Sequence, residues 1–513
     1  MAKKCVLGID LGTSSCKVLA IDEECKVVAE SSGKYPLYIP KPGWSEQNPD
    51  DWWKEARSIL KGLIKKLKEK NYEISGIGLS GTMSGLILLD KNGKVLRPCI
   101  MWNDQRSAKQ AIYATEKLGG LENVLKLINN AIRPGHTLPK LLWVMENEPE
   151  IYSMSYKLLL PKDYLAYKLT GRFVTDVSYA SGTAMFDVKN RKWCDDVVNT
   201  FDLNPELLPD CVESPTIIGE VSGPVARELG LESNTPVVSG GGDSALQTVA
   251  AGSVNSSITS VIIGTAGIVG AVLDSYSKNP DGLAHVYCSV IPRRWYAYCC
   301  SLAAGGSLEW FRQTLAGLEE QVAKLSNRSV FDILCEEAAQ SALGSGGVFF
   351  MPFLSGERCP FANPNARGVF IGLSLKTRKN DLVRSVLEGV AFNLRRGIEL
   401  LYENFGVKSE KIYLSGGAIL SDVWRQIFAE VFGKEVSVLR YSEKGAALGA
   451  AILAGVGAKI WKSVEEVVGN LDIVYRNKPV EENIKYYEKL YRIYKDLYEI
   501  IKPAFNLIVE GRS

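Results

Sequence analysis

The stretch VLGIDLGTSS, Val6 to Ser15, decides how the rest of the chain is read. Its first half is an apolar run, the material of a buried strand. Yet Asp10 stands at the end of that run, followed by Gly12, Thr13, Ser14 and Ser15. A carboxylate there is costly unless a cation meets it. In a turn between two strands, successive backbone N–H groups and three hydroxyls form a nest for an anion, and phosphate is the obvious guest. A carboxylate beside such a nest suits a divalent cation, because Mg²⁺ is typically held by one or two carboxylates together with phosphates and water. The plainer reading is a β-hairpin turn with an aspartate cap.

Outward from this stretch, the chain repeats itself. GTSSCKVLAID (Gly12–Asp22) resembles GTAGIVGAVLD (Gly264–Asp274): each follows an apolar run, opens on Gly-Thr and ends on Asp. A second pair, ISGIGLSGTMSG (Ile74–Gly85) and KIYLSGGAIL (Lys411–Leu420), comes in the same order, each a strand running into a Gly-rich turn. Two ordered matches predict two domains of like architecture related by duplication. Between them, helical segments such as DDWWKEARSILKGLIKKLKEK alternate with short strands, which predicts mixed α/β with sheets covered by helices. The boundary is expected within PVVSGGGDSALQTVAAG, giving domains 1–245 and 246–513. Near the end, PVEENIKYYEKLYRIYKDLYEIIKPAF predicts an amphipathic helix.

Two Gly-Thr loops facing each other across a cleft can grip one polyphosphate. Asp243 follows three glycines that let the backbone approach a ligand closely. It is placed to accept a proton from a hydroxyl attacking the γ-phosphate. A local alternative is that Asp243 N-caps the helix SALQTVAAG.

Composition narrows the field. At 513 residues the chain exceeds a single hydrophobic core, which stops growing near ~250–300 residues. With 46% hydrophobic and 23% charged residues it reads as a folded soluble protein. A net charge of +2 offers no global attraction to nucleic acid or an anionic membrane. The expected partner is therefore a small molecule. Eleven cysteines without a Cys-x-x-Cys pair predict reduced cytosolic thiols, and two histidines, His136 and His285, exclude a His-rich metal site. The apolar run at the N-terminus is too short for a signal peptide, and no stretch reaches the ~18 consecutive apolar residues of a membrane span. A cytoplasmic setting is expected. GIGLSG (Gly76–Gly81) satisfies G-x-G-x-x-G, but a strand with an Asn-Gly hairpin signal follows it where a dinucleotide site needs a helix. Neither a P-loop nor a G-x-S-x-G elbow occurs.

Taken together, six segments resemble the FGGY carbohydrate kinases, ATP-dependent sugar and polyol kinases on the ribonuclease-H-like fold of actin, Hsp70 and hexokinase. GIDLGTSSCK is similar to the first phosphate loop of that family, GHTLPKLLWVMEN (Gly135–Asn147) to its first signature and SGGGDSA to its catalytic segment. GTAG is similar to the second phosphate loop and GVFIGLSLKTRKNDLVRSVLEGV to the second signature. LSGGAILSDVWRQIFAEVFG with GAALGAAILAG is similar to the adenosine-binding region. Within the family, IMWNDQR (Ile100–Arg106) and FLSGERCPFANPNARGVFIGL (Phe353–Leu373) resemble the xylulokinases.

The resemblance implies an α/β protein of two ribonuclease-H-like domains with a catalytic cleft between them. It implies ATP and Mg²⁺, and a sugar or polyol acceptor with D-xylulose foremost; a homodimer is left open. Asp243 would be the general base. Met83, Ser84, Trp102, Asn103, Asp104, Asp243 and Ser244 would meet the sugar. Thr13, Ser14, Ser15, Lys17, Gly264 and Thr265 would hold the phosphates, Gly416, Gly417 and Ser421 the adenosine, and Asp10 the metal through water. Ser84 and Ser244 stand where xylulokinases usually carry His and Asn, which puts the identity of the sugar in question. Other pentuloses, polyols or sugar acids are the alternative acceptors. An actin- or Hsp70-like ATPase and a sugar-binding regulator without catalysis are the rival classes.

Overall fold

The computed structural model describes residues 2–510; Met1 and residues 511–513, the outer ends of the two expected domains, lie outside them. The first sheet has six strands: β1 (Lys3–Leu11), β2 (Ser15–Asp22), β3 (Val27–Lys34), β4 (Tyr72–Gly81), β5 (Ile217–Glu220) and β6 (Pro236–Gly242), in the order β5-β6-β4-β1-β2-β3. The second has seven: β7 (Ile258–Ile263), β8 (Gly267–Leu273), β9 (His285–Cys288), β10 (Trp295–Ser301), β11 (Lys411–Gly416), β12 (Val436–Leu439) and β13 (Ile473–Asn477), in the order β9-β10-β8-β7-β11-β12-β13. Both contain three antiparallel strands followed by two parallel ones: β3-β2-β1 then β4 and β6, and β10-β8-β7 then β11 and β12. The repeated Gly-Thr segments are the equivalent tight turns, one between β1 and β2, the other between β7 and β8.

Helices cover the sheets because their apolar stripes have nowhere else to go. In α1 (Pro49–Glu69), Trp52, Ile59, Leu60, Leu63, Ile64 and Leu67 face the first sheet while Lys and Glu face out. Helix α2 (Asp243–Ala250) leaves β6 directly. The bend needs glycine: Gly240 has φ +74°, and a Cβ there would lie 1.7 Å from the Leu79 carbonyl oxygen. In the second half, α3 (Gly305–Leu315), α4 (Lys379–Phe405) and α5 (Asp422–Phe432) flank the sheet.

The segment GAALGAAILAG does not join the adenosine region. It forms α6 (Ala446–Gly457), which packs on β1 and β4 of the first sheet and on α2. A Cβ on Gly8 would lie 2.0 Å from the Ala447 carbonyl oxygen, and one on Gly78 would lie 2.0 Å from that of Ala450. Small residues on both surfaces let helix and strands approach at backbone distance, so this face is sealed and has no room for a base. One buried cluster consequently draws on both halves of the chain, with Val6, Leu19 and Val238 beside Val272, Leu448 and Ile452. The final helix α7 (Glu481–Glu510) buries Tyr487, Tyr491, Tyr494 and Tyr498 against the second half. All eleven cysteines are free thiols. Among the described residues no helix is long and apolar enough to cross a membrane.

Candidate active site

Strand register assembles the first part of the site. Asp10 lies directly across from Lys17 on β2 and from Ser80 on β4, and Ser80 lies across from Gly241 on β6. Residues paired this way share a face of the sheet. Ser80 Oγ donates to Asp10 Oδ1 at 2.8 Å. Burial pushes the Asp10 carboxyl up, opposed by that hydrogen bond and by the charge of Lys17. Two residues past Gly241, Asp243 opens α2. Gly242 is the N-cap, so Asp243 does not cap the helix; its Oδ1 accepts the N–H of Ser244 at 2.7 Å. Burial first, and then the charge of Asp10, pushes Asp243 up to about 7. Two carboxylates that repel each other beside a turn rich in hydroxyls form a donor set of the kind a divalent cation satisfies. Among the described residues there is no cluster of three or more His, Cys, Asp or Glu, so such a cation would draw part of its shell from phosphate and water.

Met83 and Ser244 stand beside Asp243 at the start of α2. Met83 and Ser84 follow β4, with Ser84 at φ +63° and buried. Ser84 Oγ donates to the Gly182 carbonyl at 2.7 Å, and its own carbonyl accepts from Thr137 Oγ1 (3.2 Å) and Lys140 Nζ (2.8 Å). Lys140 is fully enclosed, and burial lowers it to about 7. This lysine, in the first signature segment, pins the loop that carries Met83 and Ser84. Ser244 Oγ lies 2.6 Å from the Tyr296 hydroxyl and 3.2 Å from Met83 Sδ. Trp102 is 40% exposed, and its Nε1 donates to Thr13 Oγ1 at 3.0 Å, joining the acceptor loop to the first Gly-Thr turn. Asn103 beside it is exposed.

Asp104 is not brought to this pocket. It is fully buried, with Oδ2 accepting from the Ser45 N–H (2.6 Å) and Arg106 Nη2 (2.8 Å) and Oδ1 from the Arg106 N–H (2.8 Å). An arginine two residues on closes over the carboxylate, which therefore holds the tryptophan loop in shape and has no lone pair free for a sugar.

The nucleotide-side residues meet in the second lobe. A cavity of about 390 Å³ is lined by Gly264, Thr265, Gly417 and Ser421. Gly416 stands behind the lining: at φ +93° it turns the chain, and a Cβ there would lie 2.3 Å from the Ile263 carbonyl oxygen. Ser421 caps α5, accepting the Trp424 N–H at 3.2 Å. Sequence reasoning missed Gly305 and Gly306, which open α3 against the second turn: the Gly305 N–H reaches the Gly264 carbonyl (2.8 Å) and that of Gly306 the Thr265 carbonyl (3.1 Å). Their signal was a Gly-Gly pair ahead of an amphipathic run. A helix N-terminus at this place adds positive potential where phosphates would lie. In the first turn Thr13 is half-buried and Ser14 exposed, and Gln47 Nε2 fixes the Thr13 carbonyl at 2.8 Å.

Models of the N-terminal and C-terminal domains of the FGGY family of carbohydrate kinases match residues 5–250 and 259–458. The chain is 36% identical over 482 residues to the xylulose kinase of Escherichia coli strain K12, covering 94% of this chain and 96% of that one. It is 32% identical to the gluconokinase of Bacillus subtilis strain 168, covering 94% of each. The crystal structure of a xyloylose kinase from Brucella ovis superposes with a TM-score of 0.88 at 32% identity, over 97% of this chain and 99% of that one. With both domain models matched in order and relatives aligned from end to end, this chain belongs to the FGGY family of carbohydrate kinases.

Proposed function

We propose that the chain transfers the γ-phosphoryl group of ATP to a hydroxyl of D-xylulose, with Asp243 as general base. The observation that carries this reading is the place of Asp243 at the start of α2, next to Ser244, whose Oγ reaches Met83 Sδ at 3.2 Å, and within the field of the Asp10 carboxyl. The relatives that act on xylulose supply the sugar. The acceptor hydroxyl attacks phosphorus, its proton passes to Asp243, and ADP leaves with the electron pair of the broken P–O bond. Raised to about 7, the Asp243 carboxylate is a matched proton acceptor near neutral pH. Asp10 would hold Mg²⁺, which when bound would neutralise charge on the phosphates. Lys17, across the sheet from Asp10, steadies the γ-phosphate. Thr13, Ser14 and Ser15 on one lobe and Gly264 and Thr265 on the other hold the polyphosphate, and Gly417 and Ser421 flank the adenosine. Trp102 and Asn103 border the sugar. Most of the acceleration comes from in-line alignment and charge neutralisation. The reaction is assigned to the cytoplasm, where eleven free thiols stay reduced.

A different ketose, a polyol or a sugar acid is the second reading, because Ser84 and Ser244 spend their hydroxyls on Gly182 and Tyr296. The test is ADP release with pentuloses, pentitols, erythritol and gluconate. The fastest turnover is expected with D-xylulose. Another acceptor tenfold ahead replaces it, a rate independent of acceptor points to an ATPase, and ATP binding without turnover points to a regulator.

A further inference from the structure

The buried segment 176–182, the short helix Val177–Ala180 with the residues around it, reaches the site at three points. Ser178 Oγ accepts the Gly242 N–H at 3.2 Å, one residue before Asp243. The Tyr179 hydroxyl donates to the Thr82 carbonyl at 2.6 Å, one residue before Met83. The Gly182 carbonyl takes Ser84 Oγ. A further bond, from the Cys288 N–H to Ser181 Oγ at 3.1 Å, ties the segment to β9 of the second sheet.

Ser178 is held in turn by Asp176. A hydroxyl has one proton, and this one goes to Asp176 Oδ2 at 2.5 Å, which leaves lone pairs for the Gly242 N–H. A hydroxyl that donates to a carboxylate is the better acceptor for it. The same carboxylate oxygen accepts the Ser178 N–H at 2.9 Å and Ser214 Oγ at 2.7 Å. Asp176 Oδ1 pairs with Lys162 Nζ at 3.2 Å, and Lys162 pairs with Asp163 at 2.8 Å. Lys162, Asp163, Asp176 and Ser178 are all sealed from solvent. Glycine makes room for the approach, since a Cβ on Gly241 would lie 2.9 Å from Ser178 Oγ. It also creates the need for an anchor: the three glycines before Asp243 have no side chains to fix the direction of the chain.

We propose that Ser178, backed by Asp176, is a positioning residue for phosphoryl transfer: by holding the Gly242 N–H it sets the direction in which Asp243 presents its carboxylate. The inference rests on the reading of Asp243 as the proton acceptor. Both side chains are sealed from solvent, so they act through the backbone and not on the substrate. Without the Ser178 oxygen the Gly242 N–H loses its buried partner, and the freedom of Gly241 and Gly242 lets the peptide turn. A displacement of about 1 Å at a reacting group can cost roughly 10²-fold in rate.

The test measures single-turnover transfer to the fastest acceptor together with the KM for ATP. Ser178→Ala is expected to lower the transfer rate by about tenfold or more and to leave the KM for ATP within about twofold. Ser214→Ala is the matched control: it takes one hydrogen bond from the same Asp176 oxygen, but its side chain has no bond to Gly242. Its transfer rate should stay near that of the parent. Ser178→Cys keeps the volume and offers only a weak acceptor, so it carries the same comparison if the alanine variant does not fold. In an Asp243→Asn background, Ser178→Ala should cost no further rate, because its effect passes through that carboxylate. Equal losses in Ser178→Ala and Ser214→Ala, or a full further loss in the Asp243→Asn background, overturn the inference and leave the base assignment standing. An Asp243→Asn enzyme that keeps the parent's rate ends both.

Discussion

At the scale of single residues, the proposed chemistry rests first on Asp243 and Ser244. Asp243→Asn removes proton acceptance and little volume, so transfer is expected to fall by roughly 10²- to 10⁴-fold with nucleotide affinity kept; single-turnover rates and ATP titration measure the two. The same change should stabilise the ligand- and metal-free protein. A carboxyl whose folded pKa is raised adds stability that is full below its ordinary 3.8 and is lost as pH rises through about 7. Above that window the parent holds a buried charge that the asparagine variant lacks. The variant should therefore melt higher than the parent at pH 8, and the difference should close toward pH 4. An unchanged gap across that range would show that Asp243 is not raised. Ser244 is constrained by the Tyr296 hydroxyl 2.6 Å away. Ser244→Asn alone should destabilise the fold and slow D-xylulose turnover, and adding Tyr296→Phe should recover part of both, because the two positions share one space. Additive losses in melting temperature would remove that coupling.

Among elements, α6 carries the argument. Its contact with β1 and β4 is made at backbone distance, which permits no side chain on Gly8 or Gly78. Gly8→Ala and Gly78→Ala should each cost about 1–3 kcal/mol or more by forcing helix and sheet apart. Gly62 in α1 is the counter-case, since a Cβ there meets nothing within 4 Å. Gly62→Ala should raise stability by about 0.5–1 kcal/mol through helix propensity and a less free unfolded chain. Urea unfolding of the three variants, read by far-ultraviolet circular dichroism, tests the opposite signs together.

Across the whole molecule, two lobes of equivalent topology meet over α2 and α6, and each contributes one Gly-Thr turn. A polyphosphate held by both turns would draw the lobes together, and that closure would keep water from competing with the acceptor hydroxyl. Small-angle X-ray scattering should show a smaller radius of gyration with D-xylulose and a non-hydrolysable ATP analogue together than with either alone. Equal radii in all states would mean that the pocket works without closure.

How far the sequence reached follows from the range of each interaction. Strand, turn and strand around Asp10 and around Thr265 were legible, because period, glycine and hydroxyls lie within a dozen residues of one another. The duplication was legible for the same reason, and the tyrosine face of α7 showed in its spacing. Two things were settled by tertiary structure. Asp104 reads as an open acid in IMWNDQR, but folding closes Arg106 and the Ser45 amide over it. The Gly-Ala run reads as a nucleotide segment, but its small surface finds its complement in Gly8 and Gly78, more than 360 residues earlier in the chain. Local pattern determined which residues could turn, cap or bind. Which of them still face a ligand depended on contacts between distant segments, and no local period records those.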